Sequence, residues 1–261
     1  MSLVLSPLFS GSSGNAIYLS DGTTSVLVDG GVSAKRIVHA LEQLDVDPAS
    51  ISAILVTHEH KDHVYGIGPL ARAFSLPVYA TRGTWCGMES TVGALNREQR
   101  YAVIPNQPFK IGSLVLCAVP IPHDANEPVC YTFYNDGEKL ALATDIGHID
   151  PEMVQALSGA EFVFLEANHD LEMLENGPYP VYLKRRIAGA KGHLSNDAAA
   201  EIACTLAQSG TREFLLAHLS QENNTPDLAL ETVEKALRES GCSACVSVAS
   251  RAEDGRIFRI G

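Results

Sequence analysis

Four potential metal ligands lie within six residues in the first quarter of the chain. Residues 54–63 have the sequence ILVTHEHKDH, so His58, His60, Asp62 and His63 directly follow an apolar, β-rich run. A rigid strand that ends beside them lets imidazole and carboxylate groups converge on an ion, and this donor set suits zinc, manganese and iron. A solvated polar turn is the alternative, but three histidines with an aspartate seldom arise there by chance. The motif therefore predicts a metal site.

Three later apolar runs each lead to a further residue that can bind metal. The first ends in His123, the second leads to Asp145, and the third, residues 214–217, ends in His218. A sheet that builds a cleft along one rim delivers side chains in this way, from the carboxyl ends of several strands. Taken singly, each residue could instead cap or hydrogen-bond its surroundings.

Length, composition and charge limit the class of protein. With 261 residues and 46% hydrophobic content, the chain can bury a full core, and we predict one domain over residues 1–261. The start lacks a basic region and an adequate apolar segment, and no run of about 18 apolar residues occurs, so we expect a cytoplasmic protein without a membrane partner. The net charge of −12 argues against a protein that coats nucleic acid electrostatically. A metal enzyme acting on phosphates escapes this objection because its cations supply the local positive field. The sequence indicates no oligomeric state.

A loop rich in glycine and serine separates two predicted strands near the N-terminus. Residues 3–5 and 16–19 have strand character, and the loop between them contains Ser12, Ser13 and Asn15. Because its backbone N–H groups and hydroxyls could approach a ligand closely, these three residues are candidate substrate-binding residues. A plain hairpin connection is the alternative.

Strands and helices alternate along both halves of the chain. A predicted strand ends at Asp29, and Ser33 is a candidate N-cap for a helix that ends near Leu44. Residues 66–74 predict another helix, and residues 82–101 a more polar helical segment. The alternation predicts an α/β protein in which two sheets pack together with helices outside.

The H-x-H-x-D-H string followed by Gly66 resembles the metallo-β-lactamase superfamily. The resemblance implies a four-layer αββα sandwich and a site for two divalent metal ions, zinc, manganese or iron. It also implies that Asp29 braces the metal loop without binding metal. The ligand sets that it implies are His58, His60 and His123 for one ion, Asp62, His63 and His218 for the other, and Asp145 as the bridge.

Two further residues resemble those of the phosphodiesterase branch of this superfamily. Glu166 ends an apolar run, and His193 precedes an alanine-rich segment that predicts a helix. The resemblance implies that His193, held by Glu166, protonates the leaving oxygen, while Asp62 and Asp145 take part in catalysis as well as in metal binding. The alternative for His193 is an ordinary residue at a helix N-terminus.

Similarity to one family runs the whole length of the chain. FSGSSGNAIYL, THEHKDHVYGIGPLAR, LATDIGHI, KGHLSN and LAHLSQENN resemble the WalJ (YycJ) family, cytoplasmic metallo-β-lactamase-fold proteins described as 5′-to-3′ exonucleases on DNA. The resemblance implies a dinuclear phosphodiesterase with DNA as its partner and substrate. A phosphodiesterase for a small cyclic or modified phosphodiester remains an alternative, as does a metal-bearing regulatory protein of cell-envelope or cell-division control with little activity.

A basic stretch precedes His193. It could follow a phosphate backbone, or it could be the solvated face of a helix. Its members are Lys184, Arg185, Arg186 and Lys191.

Overall fold

The computed structural model describes residues 2–250 and 255–260. In chain order, the strands in these ranges are β1 (Val4–Phe9), β2 (Ala16–Ser20), β3 (Ser25–Val28), β4 (Ala53–Leu55), β5 (Val78–Ala80), β6 (Arg100–Ala102), β7 (Phe109–Ile111), β8 (Leu114–Pro120), β9 (Val129–Asn135), β10 (Glu138–Ala143), β11 (Phe162–Glu166), β12 (Glu213–Ala217), β13 (Cys245–Val248) and β14 (Phe258–Arg259). The α-helices are α1 (Ala34–Gln43), α2 (Lys61–Val64), α3 (Ile67–Phe74), α4 (Arg82–Val92), α5 (Pro151–Leu157), α6 (Leu171–Asn176), α7 (Val181–Ile187), α8 (Asn196–Gln208) and α9 (Pro226–Glu239). Across the described ranges, no helix combines the length and apolar character that spanning a bilayer requires.

The described residues form two compact units. Unit 1 holds the described residues of Met1–Pro120, Ala125–Glu138 and Ser250–Gly261. Unit 2 holds Ile121–Asp124 and Lys139–Ala249.

Unit 1 contains a mixed sheet in the order β14-β1-β2-β3-β4-β5-β6 and the antiparallel strands β7, β8 and β9. The strands from β3 to β6 are parallel, and Val28 pairs with Leu55, so the chain leaves β3 and β4 at the same edge. The predicted helix after Ser33 is confirmed as α1, which buries Ile37 and Leu41 in the core of this unit. Burial of this apolar face stabilises the unit.

Unit 2 is built on the parallel strands β10-β11-β12-β13. The central strands β11 and β12 are almost entirely buried, as expected of parallel strands in an α/β layer. Glu166 at the end of β11 pairs with Ala217 at the end of β12, and His218 follows Ala217 directly. The pairing of the two strands therefore brings Glu166 and His218 to the same edge of the sheet. The sheet therefore delivers polar side chains from neighbouring strands to one edge, as the sequence predicts.

Candidate metal centre

The ligand cluster of unit 1 consists of His58, His60, Asp62 and His63. His58 and His63 are buried, and His60 is half-buried at the N-cap of α2. The Nε2 atom of His58 lies 3.1 Å from Nδ1 of His60, and the Asp62 carboxylate lies 3.7 Å from Nε2 of His63. Ring nitrogens and a carboxylate thus converge at the start of one short helix, which suits a divalent metal.

A hydrogen-bond network behind this cluster starts at Asp29. One carboxylate oxygen accepts from the Thr57 N–H at 2.9 Å. The other accepts from the Thr57 hydroxyl and from Nδ1 of His63, both at 2.8 Å. The Thr57 hydroxyl lies in turn 3.0 Å from Nδ1 of His58. Asp29 therefore fixes the orientation of two histidine rings, the bracing position that the resemblance implies.

Asp29→Asn is expected to weaken metal binding by roughly 10- to 100-fold, because the amide loses the charge that fixes the His63 ring. The backbone should tolerate the change, since Asp29 has φ 61° and asparagine adopts this left-handed region readily. Competition with a chromogenic chelator measures the affinity. Asp45→Asn is the matched control, because Asp45 is exposed and has φ 57°. Equal metal affinity in the two variants would contradict the bracing role.

The ligand cluster of unit 2 consists of His123, Asp145 and His218, accompanied by Glu166 and His193. Asp145 is 2% exposed. Its Oδ1 atom lies 4.0 Å from Nε2 of His123, 3.7 Å from Nδ1 of His193 and 3.6 Å from Nδ1 of His218. Ligand-competent atoms of Asp145, Glu166, His193 and His218 all lie within 4.8 Å of one another. A single buried carboxylate is thus surrounded by imidazole nitrogens.

Glu166 is the hydrogen-bond centre of this cluster. Its Oε1 atom accepts from Nδ1 of His193 at 2.8 Å and from Nδ1 of His218 at 3.0 Å. Its Oε2 atom accepts from the backbone N–H groups of Ile146 at 2.8 Å and Leu194 at 3.2 Å. Burial alone would raise the pKa of this carboxyl, but the charge of His193 and the hydrogen bonds from both histidines outweigh it and lower the pKa to about 2. Glu166 is therefore a carboxylate that holds two imidazoles.

Four of the candidate ligand histidines are anchored through the same ring nitrogen. Nδ1 of His123 lies 3.1 Å from the Gly192 carbonyl oxygen, while His58, His63 and His218 use Nδ1 toward Thr57, Asp29 and Glu166. Metal-ligating histidines generally donate one ring N–H to an oxygen in this way, which leaves the other nitrogen for the ion. The donor set fits divalent metal, and these histidine–aspartate clusters are of the kind that binds it.

Three of these polar residues have an unusual backbone conformation. Asp29, Asp145 and His218 have φ values of 61°, 62° and 55°. Each lies just beyond a strand, β3, β10 or β12 respectively. Non-glycine residues in this region are uncommon and cluster at functional sites, where the surrounding structure holds them. The left-handed turn redirects the chain at the strand end, so the side chain leaves the sheet there.

The predicted substrate loop divides into two parts. Ser12 and Ser13 are exposed and line a pocket of about 510 Å³ in unit 1, together with Arg36, Lys61 and Asp62. Asn15 is buried: its Oδ1 accepts from the Gly11 N–H at 2.9 Å, and its Nδ2 lies 3.1 Å from Nε2 of His63. The structure thus places Asn15 beside His63 of the unit 1 ligand cluster, and it places the two serines beside the side chains of Arg36 and Lys61. Sequence reasoning missed Arg36 and Lys61, because neither is close to the loop in sequence.

The basic stretch before His193 has mixed surroundings. Lys184 donates to the Glu175 carbonyl oxygen, and Arg186 donates to the Asp124 carboxylate, both at 2.6 Å. Arg185 and Lys191 are exposed. Helix α7, which carries the first three cations, has no buried residue, so its surface is available to solvent or to a ligand.

Sequence comparisons identify the family. Residues 24–219 match the profile of the β-lactamase superfamily domain. The exodeoxyribonuclease YycJ of Bacillus anthracis is 39% identical over 241 residues, which cover 92% of this chain and 91% of that protein. The exodeoxyribonuclease WalJ of Streptococcus pneumoniae serotype 2 (strain D39) is 37% identical over 235 residues, which cover 89% and 87% respectively.

Solved structures show the same fold. The metallo-β-lactamase-fold protein YhfI from Bacillus subtilis has a TM-score of 0.76 at 17% identity and covers 99% of this chain and 100% of its own. A diphosphatase of the PhnP family has a TM-score of 0.68 at 19% identity and covers 100% and 98%. The predicted fold class, an α/β sandwich of the αββα type, is confirmed. The chain therefore belongs to the metallo-β-lactamase superfamily of metal-dependent hydrolases, as a YycJ/WalJ-type member.

Proposed function

We propose that this chain is a dinuclear phosphodiesterase that acts on DNA as a 5′-to-3′ exodeoxyribonuclease, with residues 1–261 as one catalytic domain. The observation that carries the proposal is the Glu166–His193 pair, a carboxylate-held imidazole placed beside the ligands Asp145 and His218. A general acid of this kind is required where the leaving group is a poor one, such as the alkoxide of a sugar. The names of the two curated relatives support DNA as the substrate.

Two divalent cations, zinc, manganese or iron, are the proposed cofactors. When bound, such a pair supplies an activated water near neutral pH and positive charge opposite the phosphoryl oxygens. The residues that would hold these ions are His58, His60, Asp62, His63, His123, Asp145 and His218, and Asp145 would be the ligand shared between them.

The chain's own groups then move and orient the protons. The oxygen of water forms a bond to phosphorus while the bond between phosphorus and the leaving oxygen breaks. Asp62 orients the attacking water, and His193 gives a proton to the leaving oxygen. Because Nδ1 of His193 donates to Glu166, the nitrogen that delivers the proton is Nε2. The products are a phosphate monoester and a free hydroxyl, and solvent returns the proton to His193.

The pocket beside Ser12 and Ser13 is the proposed contact for the terminal phosphate of the strand. The hydroxyls of Ser12, Ser13, Ser33 and Tyr65 line it with the side chains of Arg36, Lys61 and Asp62, so it offers both hydrogen-bond donors and positive charge. The exposed Arg185 and Lys191 are proposed to follow the phosphate backbone.

End-labelled single strands of both polarities, with manganese added, test the substrate and the direction. We expect stepwise degradation from the 5′ end, and we expect a bulky group on the 5′ terminus to stop it, because the strand end must enter the serine pocket. The same group on the 3′ terminus is the control and should leave the rate nearly unchanged. Equal cutting of circular single strands would overturn the assignment as an exonuclease.

A further inference from the structure

A second pocket lies entirely within unit 2, next to His193. It has a volume of about 430 Å³, within the range of roughly 300–1,000 Å³ that is typical of small-ligand sites. Its walls come from the segment after β10, the segment after β11, the segment 188–195 and one face of α8. The apolar part of the wall consists of Ile149, Val154, Leu171, Ala188, Leu194, Ala198 and Ile202.

His169 lines this pocket as a buried polar side chain without a hydrogen-bond partner at Nδ1. The residue is 1% exposed, and its backbone is held by a bridge to Ser195 and by the hydrogen bond from the Asn196 N–H. Burial lowers the pKa of His169 to about 4, against the opposing charge of Glu166. The imidazole is therefore neutral near pH 7 and offers one donor and one acceptor. A buried polar atom that lacks a partner is uncommon, and a group that enters the pocket can supply one.

The chemistry of the walls selects the ligand. Among the described residues that line the pocket, none is a lysine or arginine, and the exposed Glu201 stands at its rim. A phosphate in this pocket would have no lysine or arginine to pair with, and His193, the proposed proton donor, is committed to the leaving oxygen. The apolar side chains, with the neutral His169 and the hydroxyls of Ser195 and Thr205 beside them, suit a planar heterocycle, which needs both an apolar face and a polar edge.

We propose that this pocket binds a nucleobase of the DNA substrate, the base of the nucleoside that carries the leaving oxygen, and that His169 hydrogen-bonds the edge of that base. The assignment to that nucleoside follows from His193, which lines the same pocket and is the proposed donor to the leaving oxygen. The inference rests on the proposed phosphodiesterase function and adds to it a contact that recognises the base.

His169→Leu tests the contact with the base. Because Nδ1 of His169 has no hydrogen-bond partner in the protein, its removal leaves no other protein group unpaired there. In the wild type, removal of the base from the nucleoside that carries the leaving oxygen should lower kcat/KM by about three- to tenfold. In His169→Leu, the preference for the intact strand should shrink, because only the apolar walls still contact the base. The comparison is a double-mutant cycle between one side chain and one base, so a general loss of activity cancels.

Ala198→Phe tests the cavity, because Ala198 is half-buried in the pocket wall on α8. Gln208→Phe is the matched control on the same helix, exposed and outside the pocket. Equilibrium dialysis of chelator-treated protein gives a readout independent of turnover. Deoxythymidine 5′-monophosphate should bind the wild type and the Gln208 variant at least about tenfold more tightly than 2-deoxyribose 5-phosphate, and the preference should disappear in the Ala198 variant.

The outcomes distinguish a failure of the base pocket from a failure of the proposed phosphodiesterase activity. Equal cleavage of intact and abasic strands by the wild type, or a loss in His169→Leu that is the same for both strands, would overturn the base pocket. Hydrolysis of bis(4-nitrophenyl) phosphate, which has no base, would continue in either case if the phosphodiesterase proposal is right. Failure to cleave this diester as well as DNA would overturn the phosphodiesterase itself.

Discussion

Asp145→Asn is expected to lower phosphodiester hydrolysis by roughly 10²- to 10³-fold while the free energy of unfolding of the metal-free protein changes little. Oδ1 of Asp145 lies within 4.0 Å of ring nitrogens on His123, His193 and His218, so one negative charge serves the whole cluster. Loss of metal-based charge stabilisation costs several kcal/mol in the transition state, and each 1.36 kcal/mol is tenfold in rate. Asparagine keeps the shape of the side chain but removes that charge.

The backbone conformation of Asp145 is one that asparagine can also adopt, so Asp145→Asn changes the charge of the side chain without straining the chain. Asp145 has φ 62°, and asparagine is among the few residues that adopt this region at low cost. Asp136→Asn is the matched control, because Asp136 has φ 47° and is exposed in the turn between β9 and β10. Comparison of the two variants separates the charge of the carboxylate from the conformation of the backbone.

Three measurements decide the result. Elemental analysis should find about two transition-metal ions per chain in the wild type and in Asp136→Asn, and fewer in Asp145→Asn. Turnover of an oligonucleotide should fall only in the Asp145 variant, and thermal unfolding after chelation should be similar in all three proteins. Near wild-type hydrolysis with both ions bound would mean that Asp145 is not the bridge.

The amino-acid sequence predicts the positions of the candidate metal ligands because these residues follow apolar strands. The run that ends before His58 becomes β4, and the runs before Asp145 and His218 become β10 and β12. Apolar strands must be buried, and the first polar side chain beyond each of them must leave the core at the same edge. The positions of the predicted ligands at the ends of strands therefore follow from the pattern of hydrophobicity alone.

The sequence pattern does not predict features that depend on the backbone conformation of one residue or on a partner far away in the sequence. The predicted helical segment 82–101 is wrong in its extent, because α4 ends at Val92. Gly93 has φ 72°, a conformation that ends a helix and that composition does not reveal. The burial of Asn15 against His63 depends likewise on contacts across 48 positions. Partners so far apart in sequence are brought together by tertiary packing, which local patterns do not encode.

The hydrogen bonds of Glu166 likewise depend on partners that are far away in the sequence. Its carboxylate accepts from His193 and His218, which lie 27 and 52 positions further along the chain. The resemblance to known phosphodiesterases pairs Glu166 with His193, but it does not imply that the same oxygen also holds His218. The structure thus places two histidines of different proposed roles on one carboxylate.

These two histidines form a natural pair for separating proton transfer from metal binding. Both donate to Oε1 of Glu166, at 2.8 Å for His193 and 3.0 Å for His218. They differ in accessibility, since the side chain of His193 is 20% exposed and that of His218 only 2%. A proton donor must reach the substrate, whereas a buried ligand needs only to reach the ion, so the difference in exposure matches the proposed roles.

His193→Ala is expected to retain both metal ions and to lower DNA turnover by roughly 10²- to 10⁴-fold, the usual contribution of a general acid. Bis(4-nitrophenyl) phosphate should largely restore the rate, because nitrophenolate is a good leaving group and needs little protonation. His218→Ala should lose a metal ion and fail on both substrates. His39→Ala, a substitution on the exposed surface of α1, is the control for handling and metal loading.

Two results would remove His193 from the role of proton donor. If His193→Ala lost metal as His218→Ala is expected to, the residue would be a ligand, and its loss of activity would need no acid. If the activated diester gave no rescue while both ions stayed bound, His193 would act on the substrate by contact and not by proton transfer. Only retained metal together with rescue supports an imidazole whose Nδ1 is committed to Glu166 and whose Nε2 delivers a proton.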